Sequence, residues 1–116
     1  MNKNSFNEEI NYNNDRVSTS VILETSFSKE IRILLKKGQL MKEHKAPFPI
    51  VVHLLEGAII FGVNGKDNHL EKGAILTLAG NVPHDLKAKE DSIVRLTISI
   101  LDKAERVDNV AKDVAK

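Results

Sequence analysis

The sequence predicts an all-β fold, an antiparallel barrel or sandwich followed by a short C-terminal helix. Three observations carry that expectation. Short, apolar, β-branched runs arrive about every eight to twelve residues. Turn signals separate them, the strongest being Asn64-Gly65 in "VNGK", where both central residues must accept positive φ. The hydrophobic period changes from two to that of a helix only after Leu101.

The 116 residues suffice for one domain. With 41% apolar residues the chain can bury a core, and with 28% charged residues its composition is that of an ordinary globular protein. A net charge of +1 gives no electrostatic basis for a nucleic-acid or membrane-surface partner. The absence of cysteine excludes disulfides and thiolate sites. No stretch approaches the length of a membrane span, and "MNKNSFNEEINYNNDR" has no apolar signal core, so a cytoplasmic location is expected.

Taken in order, residues 1–15 hold six asparagines and can bury little, which predicts a mobile or loosely docked arm. Phe6, Ile10 and Tyr12 are its apolar docking candidates. Residues 16–101 form the expected barrel. Its first strand lies in "RVSTSVILE". "KEIRILLKK" places Ile31, Ile33 and Leu35 on one face, with Arg32 and Lys36 on the other. "PIVVHLLEG", "AIIFGV" and "AILTLA" are apolar at both parities, as in strands buried on two faces. "DSIVRLTISIL" is the clearest alternation: Val94, Leu96, Ile98 and Ile100 face one way, Arg95, Thr97 and Ser99 the other. "KKG" and "EKG" end strands with glycine, "LAGNVP" is a loop, and "KAKED" reads as a solvated turn. Residues 102–116 predict a helix, with Asp102 as N-cap, Glu105 as its capping-box partner, and Val107, Val110, Ala111 and Val114 on the docking face.

Three histidines raise the question of a metal. His44 precedes the turn "APFP", His53 sits in the apolar run after it, and His84 follows in "NVPHDL". Their setting resembles the two signatures of the cupins, G(X)5HXH(X)3-4E(X)6G and G(X)5PXG(X)2H(X)3N. Gly38, His44 and Gly57 match the first, while its second histidine is Ala46 and its glutamate is Ile50. Gly73 and His84 match the second, while its proline, glycine and asparagine positions hold Ala79, Asn81 and Ala88. Five of the ten marked positions match, with no gap in any spacing. The chain is thus similar to a small, single-domain cupin of the RmlC-like superfamily. That resemblance implies a jelly-roll barrel (a double-stranded β-helix), a homodimer, and one divalent transition metal such as iron, manganese, zinc or nickel, held by His44 and His84.

With Ala46 and Ile50 in ligand positions, metal binding is expected to be weak or absent, since catalytic sites supply at least three protein ligands. His53 is the candidate replacement, although strand parity from Ile50 turns it to the opposite face, toward a dimer interface. His69 reads as a solvated side chain. Ala46, Ile50, Phe48, Phe61, Met41 and Leu86 are the expected lining of an apolar pocket beside His44 and His84. No serine, cysteine or carboxylate pair has hydrolase spacing. The leading expectation is a non-catalytic or weakly catalytic protein that binds a small, partly apolar molecule in the barrel. The alternatives are a metal-dependent dioxygenase or isomerase using His44 and His84, and an interaction module whose barrel is filled by side chains.

Overall fold

The computed structural model describes residues 1–113. Among these residues, nine antiparallel strands form two sheets. The five-stranded sheet has the order β1 (Ser18–Glu24), β2 (Ser28–Leu35), β9 (Ser92–Ser99), β4 (Ile50–Glu56) and β7 (Ile75–Leu78). The four-stranded sheet has the order β3 (Leu40–His44), β8 (His84–Ala88), β5 (Ala58–Val63) and β6 (Lys66–Glu71). The non-consecutive neighbours are the crossovers of a jelly roll.

The core lies between the sheets and follows the strand alternation. Ile31, Ile33 and Leu35 from β2 meet Val94, Leu96 and Ile98 from β9 and Ile50, Val52 and Leu54 from β4. Ile59 and Phe61 from β5, Met41 from β3, and Leu86 and Ala88 from β8 close the other side. Each fully buried side chain of this kind contributes roughly 1.5–3 kcal/mol. Three strands the sequence did not announce, β3, β6 and β8, are short and polar because the outer face of their sheet is wet. The "KAKED" turn is shorter than expected: Lys87 and Ala88 belong to β8, and Ala88 is buried.

The hairpin at Asn64-Gly65 forms with φ of 52° and 78°, the doubly left-handed geometry its sequence requires. Gly57 joins β4 to β5 at φ 92°. A Cβ there would overlap Ser92 Oγ and the Asp91 carbonyl, so this position demands glycine on two counts.

The helix α1 (Ala104–Lys112) begins later than expected, and its N-cap position falls on Lys103, which supplies no side-chain cap. Asp102 instead lies one residue outside, where it accepts from the Lys103 amide and from Arg106 Nε and Nη2 at 2.7, 2.9 and 2.6 Å. An ion pair one turn away has replaced the expected capping box with Glu105. Val107 and Ala111 are buried and Val110 packs at the edge of the core; Val114 lies outside the described residues. Asp108 fixes the helix to the barrel through Thr19 Oγ1 at 3.0 Å and Arg16 at 3.5 Å.

The N-terminal arm contains no strand or helix among the described residues and lies against the five-stranded sheet. Asn4 Nδ2 donates to the Ile22 carbonyl, and Arg32 donates to the carbonyls of Phe6, Glu8 and Glu9. The Phe6 ring sits 5.9 Å from the Arg95 guanidinium carbon. Hence Arg32, placed by alternation on the outer face, is only 7% exposed.

Candidate functional site

His44 ends β3 and His84 begins β8. They are directly opposed across these two neighbouring strands, on one sheet rather than on facing sheets. A register shift between Met41 and His44 turns His44 onto the barrel mouth. The ring centroids are 4.3 Å apart at an interplanar angle of 62°. His84 also stacks on Phe61, with 5.6 Å between centroids.

Each ring is oriented by a carbonyl two residues earlier in the chain. His44 Nδ1 lies 2.6 Å from the Lys42 oxygen, and His84 Nδ1 lies 2.9 Å from the Val82 oxygen. A carbonyl only accepts, so both Nδ1 atoms carry the proton, and each neutral ring keeps its lone pair on Nε2. Neither Nε2 has a hydrogen-bond partner among the described residues, and neither is sealed from solvent-sized space. Burial is the largest influence on both and drives both pKa values down, His44 to about 4. The carbonyl bonds oppose burial, and Arg106 reinforces it in both rings. The neighbouring His84 also lowers His44, behind burial and the carbonyl bond. At neutral pH the pair is two uncharged acceptors.

The space around them is divided. Inside the barrel, Ile33, Met41, His44, Val52, Phe61, His84, Leu86, Val94 and Leu96 surround a cavity of about 20 Å³, room for roughly one water. Outside, an open groove of about 590 Å³ runs between β3 and α1, lined by Lys42, Glu43, His44, Lys103, Glu105, Arg106, Asn109, Val110 and Asp113. His44 borders both. Arg106 is held at the groove by the buried Asp102 carboxylate. Burial would raise the Asp102 pKa, but the bonds from Arg106 and the Lys103 amide outweigh it and hold it low.

Of the residues named from sequence, His44, His84, Met41, Phe61 and Leu86 meet at the inner cavity. Ala46 and Ile50 are buried in the core but do not line it, and Phe48 is half-buried in the loop between β3 and β4. The interior is also much smaller than a ligand pocket, because Met41, Phe61, Leu86 and Leu96 fill it. His53 lies on the outer face of the five-stranded sheet, in register with Arg95 and Ile75 and away from the other two histidines. Sequence reasoning missed Ile33, Val52, Val94 and Leu96 as lining, although strand alternation already grouped each with the core face. It also missed Arg106, whose spacing of four from Asp102 was the available signal.

The donor set can be tested against a resident metal. The carbonyl-oriented Nδ1 atoms match the outer shell of metal-bound histidines. The first shell does not follow: the other two motif positions are the carbon side chains of Ala46 and Ile50. No group of three His, Cys, Asp or Glu side chains able to hold an ion occurs among the described residues. Two imidazoles alone do not fit a resident catalytic metal.

No family model matches the sequence, and no curated protein matches it. Solved structures do. An RmlC-like cupin from Desulfovibrio desulfuricans is 24% identical, with a TM-score of 0.78 over 85% of this chain and 96% of the other. KdgF from Halomonas sp. is 15% identical, with a TM-score of 0.74 over 91% and 99%. An RmlC-like cupin from Shewanella frigidimarina is 18% identical, with a TM-score of 0.74 over 92% and 96%. The chain has the fold of the small single-domain cupins. Among the described residues no helix is long and apolar enough to cross a membrane.

Proposed function

We propose that this cupin binds a small molecule at the barrel mouth, in the groove between β3 and α1, and not in the barrel depth. The observation that carries this reading is His44, among the described residues the one side chain that borders both the inner cavity and the groove. The neutral His44 imidazole at the groove, with a free Nε2 lone pair, calls for a ligand that donates, through a hydroxyl or N–H group. Arg106, Lys103 and Asn109 supply polar contacts on the groove side, and Val110 covers an apolar part. The role is binding, with weak catalysis at most, because among the described residues no third metal-ligating side chain joins the two histidines. A filled interior also suits the second reading, an interaction module whose barrel serves only as scaffold.

A fragment screen by ¹H–¹⁵N NMR on the full chain separates the two. Binding at the mouth predicts shifts clustered at Lys42–His44, His84, Arg106 and Asn109 that vanish in His44→Gln. No saturable hit at these residues, or hits indifferent to His44→Gln, would overturn the reading and leave the scaffold role.

A further inference from the structure

We propose that the outer face of the five-stranded sheet carries an oxyanion site, built by Arg32 and Arg95 and flanked by His53, over which residues 6–9 of the arm lie as a displaceable strap. Strand register puts the three side chains in one row: Arg32 on β2 opposes Arg95 on β9, which opposes His53 on β4. Directly opposed residues share a face and lie within about 5.5 Å at their Cβ atoms. Two guanidiniums side by side repel unless something negative compensates them.

The compensation present is partial. Glu30, in the neighbouring row, accepts from Arg95 Nε at 3.0 Å and from Thr97 and Ser28 at 2.5 and 2.7 Å, so its oxygens are committed there. Arg32 has no such partner. Its contacts among the described residues are three main-chain carbonyls, those of Phe6, Glu8 and Glu9, at 3.3, 2.7 and 3.2 Å. Its Nε is sealed from solvent with no partner, and so is His53 Nδ1. Buried charges are ordinarily paired, and a guanidinium that is 7% exposed and faces only neutral dipoles is an exception that points to a missing anion.

The strap itself is held under tension. Glu9 delivers its carbonyl from φ 54°, a left-handed conformation that a glutamate rarely adopts. The residues that follow, Asn11, Asn13 and Asn14, form no strand or helix. A carboxylate or phosphate offers Arg32 a charged, bidentate acceptor in place of three carbonyls, and its binding releases the backbone strain at Glu9. Because the Arg32 Nη donors that an anion would take are the ones that hold the arm's carbonyls, occupation and strap release are one event.

The test is NMR on the full ¹⁵N-labelled chain, titrated with inorganic phosphate or with acetate, each matched in ionic strength by chloride. The expected result is a saturable shift of the Arg32 and Arg95 Nε–H signals and of the His53 ring. Residues 4–10 should become mobile in parallel by heteronuclear NOE. A response to both ions defines a general oxyanion site, and a response to phosphate alone defines a phosphate site. Arg32→Gln should weaken the apparent affinity about tenfold or more and free the arm without any anion. Should that variant misfold, Arg32→Lys keeps the charge and loses the fork, and Arg95→Gln gives the same readout from β9. A response no larger than that to chloride, or saturable binding with the arm still ordered, overturns the proposal.

Discussion

The two mouth histidines set the protein's acid sensitivity. Unfolded, the His44 imidazole protonates near its ordinary value of about 6.5; folded, burial brings this to about 4. Between those values the unfolded chain binds the extra proton, so stability falls as pH drops through that window and is untouched above it. The displacement corresponds to roughly 3 kcal/mol at full effect, and His84 acts in the same direction. Urea denaturation from pH 7 to 4.5 should therefore show a slope in the wild type that His44→Gln flattens. A second expectation tests the lost ligand positions. The wild type should bind zinc or nickel weakly and substoichiometrically, whereas Ala46→His with Ile50→Glu should raise affinity at least about a hundredfold by adding two donors to the pair. Calorimetry after chelator dialysis measures both, and no gain would mean that Ala46 and Ile50 do not point toward the histidines. His44 and His84 were legible in the sequence because motif spacing survives the loss of half the motif. The size of the cavity was not, because it depends on how the rotamers of Met41, Phe61 and Leu96 meet across two sheets.

At the level of elements, turns carry more of the family pattern than strands do. Gly38, Gly57 and Gly73 all have positive φ, and Asn81, at the position of the second motif's inner glycine, takes φ 64°. Asparagine is among the few residues that tolerate this region, so the backbone keeps the motif where the residue has changed. Two substitutions separate conformational cost from crowding. Gly38→Ala meets no atom within 4 Å and should cost about 1–2 kcal/mol from its φ alone. Gly57→Ala carries that cost and also collides with Ser92 and the Asp91 backbone, so it should exceed Gly38→Ala by about 2 kcal/mol or more. Equal midpoint losses in urea would show that the β4–β5 corner yields easily. The same logic explains which elements the sequence announced. β2, β4, β5 and β9 are apolar enough to read alone, while β3, β6 and β8 are polar strands whose pairing comes from their neighbours. Arg32 shows the reverse failure. Alternation placed it on the outer face, but nothing local says that the arm, from 23 to 26 residues earlier in the chain, returns to cover it.

At the scale of the whole molecule, the arm covers only part of the outer sheet. Its hydrogen bonds reach β1, β2 and, through Lys36 and Gln39, the turn between β2 and β3, and Phe6 reaches Arg95 on β9. The opposite edge is left with Ile75, 64% exposed on the edge strand β7, beside half-buried Val51, His53 and Leu55 on β4. An edge strand that presents an apolar side chain invites pairing, and a stable interface needs about 1,200–2,000 Å² in total. We therefore predict a two-fold homodimer joined through β4 and β7, with His53 at or near the contact. This leaves Arg32 and the arm outside it, so the strap can move without parting the subunits. In an isologous contact each residue is used twice, so Ile75→Lys places two like charges in one interface. Sedimentation equilibrium at micromolar concentration should give a dimer for the wild type and a monomer for Ile75→Lys. Circular dichroism should show an intact β fold in both, because Ile75 lies outside the core. A wild type that sediments as a monomer would mean that the exposed edge of β7 is tolerated as bare surface.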